Sequence, residues 1–215
     1  MAMTPERWKY IGTYSKEVFG ETDDHLARLM DDAVAAGLPH ISVPVDVGRL
    51  LKILTAMTPG RLAIEVGTLA GYSGIWIARG LAPGGRLITI EYEDKHADFA
   101  ERQFEIAGVA DRVEVRRGAG IEVLGDLVGE LEPGSVDVLF LDAIKPEYVD
   151  YFRIARDLIA PGGLVLADNV YGSGAGWIDE GQGTDDFNRL IAGDPDFEAV
   201  AVPLRQGVMI ARRAG

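Results

Sequence analysis

The apolar positions change their period near Pro59-Gly60. Before it they recur every three or four residues, the spacing of amphipathic helices. Two helices are predicted between Thr4 and about Gly37. The first opens on Thr4-Pro5-Glu6, a cap followed by a proline suited to a first turn. The second opens at Thr22-Asp23-Asp24, carries Leu26, Leu29, Met30 and Val34 on its apolar face and ends at Gly37. A third runs from Asp46 to Met57, with Val47, Leu50, Leu51 and Leu54 on one side.

After Pro59-Gly60 short apolar runs alternate with helical stretches. Strands are predicted over 61–66, 85–91, 112–118, 136–143 and 163–170. Helices are predicted over 71–81, 94–108 and 146–163, the last stopped by Pro161-Gly162-Gly163. The unbroken run Val138-Leu139-Phe140-Leu141 suits a strand covered on both faces. Strand and helix in alternation give an α/β fold with a doubly wound, mostly parallel sheet. The segments 197–204 and 207–213, joined through Arg205-Gln206, read as an antiparallel hairpin closing one edge.

Charge and composition then narrow the function. The chain carries 34 Asp and Glu against 21 Lys and Arg, a net charge of −13. Such a surface repels phosphate backbones, so a nucleic-acid partner is not expected. There is no cysteine, which excludes disulfides, thiolate metal sites and a cysteine nucleophile. The opening "MAMTPERWKY" has no signal-peptide core, and no apolar run reaches the roughly 18 residues of a membrane span. A cytoplasmic protein is the expectation.

Ligands of open α/β sheets bind at the carboxyl ends of the strands. Here those ends are acidic: Glu65 with Gly67, Glu91, Asp142, and the pair Asp168-Asn169, with Gly118 after the third strand. The glycines of "EVGTLAGYSG" are spaced G-x-x-x-G-x-x-G, not as in dinucleotide or phosphate loops. Glu65 beside them would repel a pyrophosphate and attract an ammonium or sulfonium. Glu91 ends the second strand, where an acid accepts ribose hydroxyls. The ligand so described is S-adenosylmethionine (SAM). Alone, Asp142 reads as a helix cap and Asp168-Asn169 as an Asx turn. Together, at neighbouring strand ends roughly 5 Å apart, two carboxylates and one amide oxygen suit Mg²⁺ or another hard cation such as Ca²⁺ or Mn²⁺. Lys145 stands at a predicted helix start, where a cation is disfavoured; that suits a general base.

The segments "AIEVGTLAGYSGIWIARGL", "RLITIE", "VDVLFLDAIKPEY", "IAPGGLVLADNV" and "TDDFNRL" resemble the cation-dependent O-methyltransferases, the caffeoyl-CoA and catechol O-methyltransferase family, in its bacterial branch. The likeness runs from about Ile41 to the C-terminus. It implies one SAM-dependent methyltransferase domain over 1–215, with N-terminal helices over 1–58 and a Rossmann-like core over 61–215. It implies seven strands, the last antiparallel. It implies SAM contacts from Val43, Glu65, Gly67, Ser73, Glu91, Gly118, Ala119 and Asp142, a cation on Asp142, Asp168 and Asn169, and catalysis by Lys145 and Asp142. The acceptor implied is a small catechol-like aromatic, and a homodimer is implied as well. One departure stands out: Ala143-Ile144 occupies the place of a His-Trp pair in the animal catechol enzymes.

Other readings compete. A tRNA hydroxyuridine O-methyltransferase would need a basic face; Arg112, Arg116 and Arg117 are the one compact cluster. A cofactor-binding module without catalysis would not need the Asp142, Lys145, Asp168, Asn169 set. His25 and His96 are expected on helix surfaces and His40 in a loop. Trp8, Tyr10 and Tyr14 are expected to pack in a core or interface. The segment 171–183 is expected to form a mobile glycine-rich loop, with Trp177 covering an aromatic substrate.

Overall fold

The computed structural model describes residues 4–173, 176–178 and 184–215. Its strands are β1 (Leu62–Val66), β2 (Arg86–Glu91), β3 (Val113–Arg117), β4 (Val136–Leu141), β5 (Ile159–Asp168), a short ribbon of β6 (Gly172–Ser173) and β7 (Gly176–Trp177), and then β8 (Phe197–Val202) and β9 (Val208–Arg213). Seven of them form one sheet in the order β3-β2-β1-β4-β5-β9-β8. The first five are parallel, and β9 lies antiparallel between β5 and β8. The predicted hairpin is therefore present, with the last strand inside it. The winding reverses between β1 and β4, which opens a crevice at their carboxyl ends.

Helices α1 (Pro5–Phe19), α2 (Asp24–Ala35), α3 (Val45–Ala56), α4 (Tyr72–Ala78), α5 (Asp94–Ile106), α6 (Gly120–Glu130), α7 (Tyr148–Ala155) and α8 (Asp185–Ala192) surround this sheet. Successive strand residues face opposite sides. Ala63, Val138 and Phe140 pack with side chains of α2 to α5. Ile64, Leu139 and Leu141 pack with those of α6 to α8. No helix is long and apolar enough to cross a membrane among the described residues.

Some elements differ from the sequence pattern. The helix predicted over 146–163 ends at Ala155, and Ile159 already pairs with Val136. Pro161-Gly162-Gly163 is a bulge inside β5 rather than a helix stop: Gly162 has φ 79°, and a Cβ on Gly163 would crowd the carbonyls of Val136 and Ala160. Helix α6 has no counterpart in the sequence reading, because Gly125 and Gly129 dilute its pattern. Both glycines face open space, while Val123, Leu124 and Leu127 are buried. Val34 is 45% exposed, and Ala33 takes the buried place expected of it. Helix α1 forms as predicted but buries no residue; Trp8, Tyr10 and Tyr14 are all exposed.

The amino-terminal edge of the sheet is tied by Asp137. This fully buried carboxylate accepts from the Arg61 amide at 2.7 Å and the Arg61 Nη2 at 3.0 Å, joining the start of β1 to β4. Asp137→Ala leaves those donors without an acceptor and is expected to cost about 2–3 kcal/mol. Urea unfolding should show it, with Arg61→Ala clearly milder because that side chain is 66% exposed.

Candidate active site

At the carboxyl edge, β1 hands over to a loop that leaves no room for side chains. Gly67 has φ 102°, and a Cβ there would collide with the Asp142 carbonyl. The loop thus packs directly on the end of β4. Gly71, φ 83°, opens α4 against Phe104. Between them Leu69 is left-handed at φ 47°, an unusual state for a branched side chain. Glu91 holds it there: its Oε2 accepts from the amides of Leu69 at 2.7 Å and Thr68 at 3.2 Å. The Oε1 accepts from the Glu93 amide at 3.0 Å and faces His96 Nδ1 at 3.3 Å.

The loop, the ends of β2 to β5 and the β8–β9 turn enclose a cavity of about 910 Å³, within the size range of small-molecule sites. Val43, Gly67, Ser73, Glu91, Gly118, Ala119, Asp142, Lys145, Asp168 and Asn169 all line it, so the expected cofactor, cation and base positions share one space. Glu65 does not line it. That carboxyl is wholly buried beneath the loop, bonded to Thr89 Oγ1 at 2.6 Å, which in turn meets Thr68 Oγ1 at 2.6 Å. Its Oε1 has no hydrogen-bond partner. Desolvation outweighs the opposing effect of Ser73 and Thr89 and, with the nearby charges of Asp142 and Glu91, pushes its pKa up to about 7.

Asp142 and Asp168 leave neighbouring strands, β4 and β5. Lys145 Nζ reaches Asp142 Oδ1 at 2.7 Å and Tyr148 Oη at 2.8 Å; Tyr148 donates to the Leu141 carbonyl at 2.9 Å. Lys145 begins a single 3₁₀ turn ahead of α7, one turn earlier than a helix proper. Asp168 is 3% exposed and its Oδ1 has no hydrogen-bond partner. Burial first and Asp142 second raise its pKa to about 6. Asn169 is left-handed at φ 61° and donates Nδ2 to Gln206 Oε1 at 3.1 Å, which leaves its own carbonyl oxygen uncommitted by that bond. Two carboxylates and an amide oxygen, one carboxylate oxygen being buried and unpartnered, fit a hard divalent cation. Among the described residues no three His, Cys, Asp or Glu side chains gather to hold a metal; this set has two acids and depends on the amide for its third donor.

Other cavity residues carried no signal in the sequence. His40 lies in a loop and His96 on α5, as expected, and both also line the space. Arg205 and Gln206 line it from a hairpin turn some 36 residues beyond Asn169, brought back by strand pairing alone. His25 is partly buried against Gln103 at 2.9 Å. Trp177 is half exposed and is not among the described residues lining the cavity. The expected mobile loop over 171–183 falls partly on 174–175 and 179–183, outside the described residues.

Glu65 binds its proton more tightly folded than unfolded. Its contribution to stability is therefore complete below pH about 4.5 and is lost as pH rises to about 7. The ligand-free protein should lose roughly 3 kcal/mol of stability across that window. Glu65→Gln should flatten the dependence, as read from urea midpoints at pH 5 and pH 8; equal slopes for parent and variant would contradict the assignment.

The chain's likeness to known proteins is extensive. A family model described as O-methyltransferase matches residues 16–214. A catechol O-methyltransferase of Niastella koreensis is 36% identical over 94% of this chain and 93% of that protein. One from Mycobacterium tuberculosis is 41% identical over 71% and 67%. Among solved structures, an O-methyltransferase from Bacillus cereus in complex with SAH superposes with a TM-score of 0.85 at 33% identity, covering 97% and 99% of the two chains. An O-methyltransferase of Streptomyces achromogenes involved in tomaymycin synthesis, in complex with SAM, gives 0.85 at 31%, covering both chains in full. By sequence over nearly its whole length and by fold, the chain belongs to the O-methyltransferase family.

Proposed function

We propose that this enzyme transfers the methyl group of SAM to one hydroxyl of a small catechol-like aromatic, with a divalent cation held by Asp142, Asp168 and Asn169. The observation that carries the reading is Asp168 Oδ1, buried and unpartnered, beside Asp142 and Asn169 at one end of the cavity. The SAM and SAH complexes of the structural relatives support the cofactor, and the catechol names of the sequence relatives support the acceptor.

In this reading Val43, Gly67, Ser73, Glu91, Gly118, Ala119 and Asp142 hold the cofactor, and Glu65 acts from beneath the loop. Glu91 serves twice: two of its hydrogen bonds fix the loop, and the long contact to His96 is the one most readily exchanged for a ribose hydroxyl. The cation, when bound, supplies positive charge that favours ionisation of the acceptor hydroxyl. Lys145, released from Asp142 and having passed one ammonium proton to solvent, takes the hydroxyl proton at Nζ. The acceptor oxygen then bonds to the methyl carbon as the carbon–sulfur bond breaks, its electron pair passing to sulfur. Tyr148, fully buried and bonded to the Leu141 carbonyl, holds Lys145 toward the reacting oxygen. The protein's part is mainly positioning and electrostatics.

A nucleic-acid acceptor finds no support in the basic cluster. Arg116 pairs with Glu114 and Glu130, and Arg117 with Asp94, Asp98 and Glu101. The exposed aromatic face of α1 is the surface that the expected self-association would cover.

Methyl transfer to catechol should vanish on exhaustive chelation and return with Mg²⁺; turnover that persists without metal would sink the cation's role. Lys145→Ala should lower kcat by roughly a hundredfold or more while SAM still binds in calorimetry. Asp168→Ala should lose Mg²⁺ binding and turnover together.

A further inference from the structure

Among the described residues three non-glycines hold a positive φ: Leu69, Asn169 and Arg205. All three line the cavity. Leu69 belongs to the cofactor loop and Asn169 to the cation set, which leaves Arg205 without a part. Its backbone, at φ 52°, would be relaxed by glycine or asparagine, yet the position carries a long cation.

The turn that presents Arg205 is fastened to the segment after β5. Asn169 Nδ2 donates to Gln206 Oε1 at 3.1 Å, the Tyr171 amide to the Gln206 carbonyl at 2.8 Å, and the Val170 amide to the Gly207 carbonyl at 3.1 Å. A Cβ on Gly207 would run into the Tyr171 ring, so the two segments are in direct contact. Arg205 is thereby held beside Asp168 and Asn169, on the acceptor side.

Lysine and arginine line this cavity at two described positions, Lys145 and Arg205. Lys145 is engaged by Asp142. Arg205 is exposed, and its side chain makes no hydrogen bond or ion pair among the described residues. Several arginines elsewhere, Arg61, Arg117, Arg156 and Arg189 among them, are matched to carboxylates. A guanidinium left unmatched on an acidic protein of net charge −13 is suited to offset the repulsion an anionic ligand would meet. Ile144, 57% exposed and lining the same space, offers an apolar surface to a ring.

We propose that Arg205 is a specificity-determining residue that favours acceptors bearing a carboxylate on the catechol ring. The inference rests on the acceptor side of the cavity being where the proposed function puts it. A guanidinium and a carboxylate form the forked, charge-assisted pair that lysine reproduces less well.

The test is calorimetric binding of 3,4-dihydroxybenzoate and of catechol to the full chain with SAH and Mg²⁺ present. The parent should bind the acid roughly tenfold more tightly than catechol, the scale of a partly solvated charged hydrogen bond. Arg205→Gln should bring the two affinities together, and Arg205→Lys should restore part of the difference. Arg205→Gly, which also relieves the strained backbone and so guards against misfolding, should behave as Arg205→Gln. A parent without preference, or a preference that survives loss of the guanidinium, overturns the proposal. So does weakened SAH binding with an unchanged acid-to-catechol ratio, which would give Arg205 to the cofactor. Turnover of the two acceptors is scored separately: absence of methyl transfer from both tells against the methyl-transfer reading, whatever the binding ratio.

Discussion

Glu65 and Asp168 end the two strands that flank β4, and each keeps one buried oxygen without a hydrogen-bond partner. An unpaired carboxylate in such a place is among the most costly groups a fold can hold. The strain shows as raised proton affinity, to a pKa of about 7 for Glu65 and about 6 for Asp168. Between them stands Asp142, whose charge adds to both shifts. Three acids pressed together at the switch point of a sheet are relieved by taking up protons, as the raised pKa values show, or by a cation that joins them. Lys145 answers for one, through Asp142. The rest of the deficit is what a sulfonium cofactor and a divalent cation would both supply.

Holding that cluster in place requires a rigid rim. The loop after β1 is stitched by Glu91, which spends four acceptor contacts inside the protein. The turn between β8 and β9 is stitched to the segment after β5 by Gln206 and Gly207. The non-glycine residues in left-handed backbone fall at these fastenings. Each costs on the order of 1 kcal/mol or more, and each persists because surrounding hydrogen bonds over-determine it. Preorganisation of this kind keeps ligand groups in position before a ligand arrives.

Much of this was legible in the chain because it obeys local rules. Continuous apolar runs such as Val138 to Leu141 announce buried parallel strands, and the acids that close them stand out against that background. The convergence of Asp142 with Asp168 follows once β4 and β5 are neighbours. What escaped depends on distant pairing or on burial depth. The start of β5 is fixed by Ile159 meeting Val136, not by the proline and glycines that punctuate it. Helix α6 is held by its tertiary face against weak intrinsic propensity. Arg205 and Gln206 look like an ordinary hairpin link until β9 is laid beside β5. Glu65 has the spacing of a ligand-facing acid, but its strand position turns it under the loop, and one-dimensional spacing does not separate those outcomes.

The two edges of the sheet treat the same physical problem in opposite ways. At the amino-terminal edge acids are matched within the chain. Arg61 meets Asp137, Arg156 meets Asp194 and Asp196, and Arg213 caps the Ile159 carbonyl at 2.6 Å. Those charges are satisfied within the chain. At the carboxyl edge the acids are as deeply buried but only partly matched, and Arg205 stands nearby unmatched in the other sense. Every strand from β1 to β5 delivers its carboxyl end to the same edge. The fold therefore gathers unmatched charge on one side of the molecule, and what binds there is chosen by which charges the chain has left open.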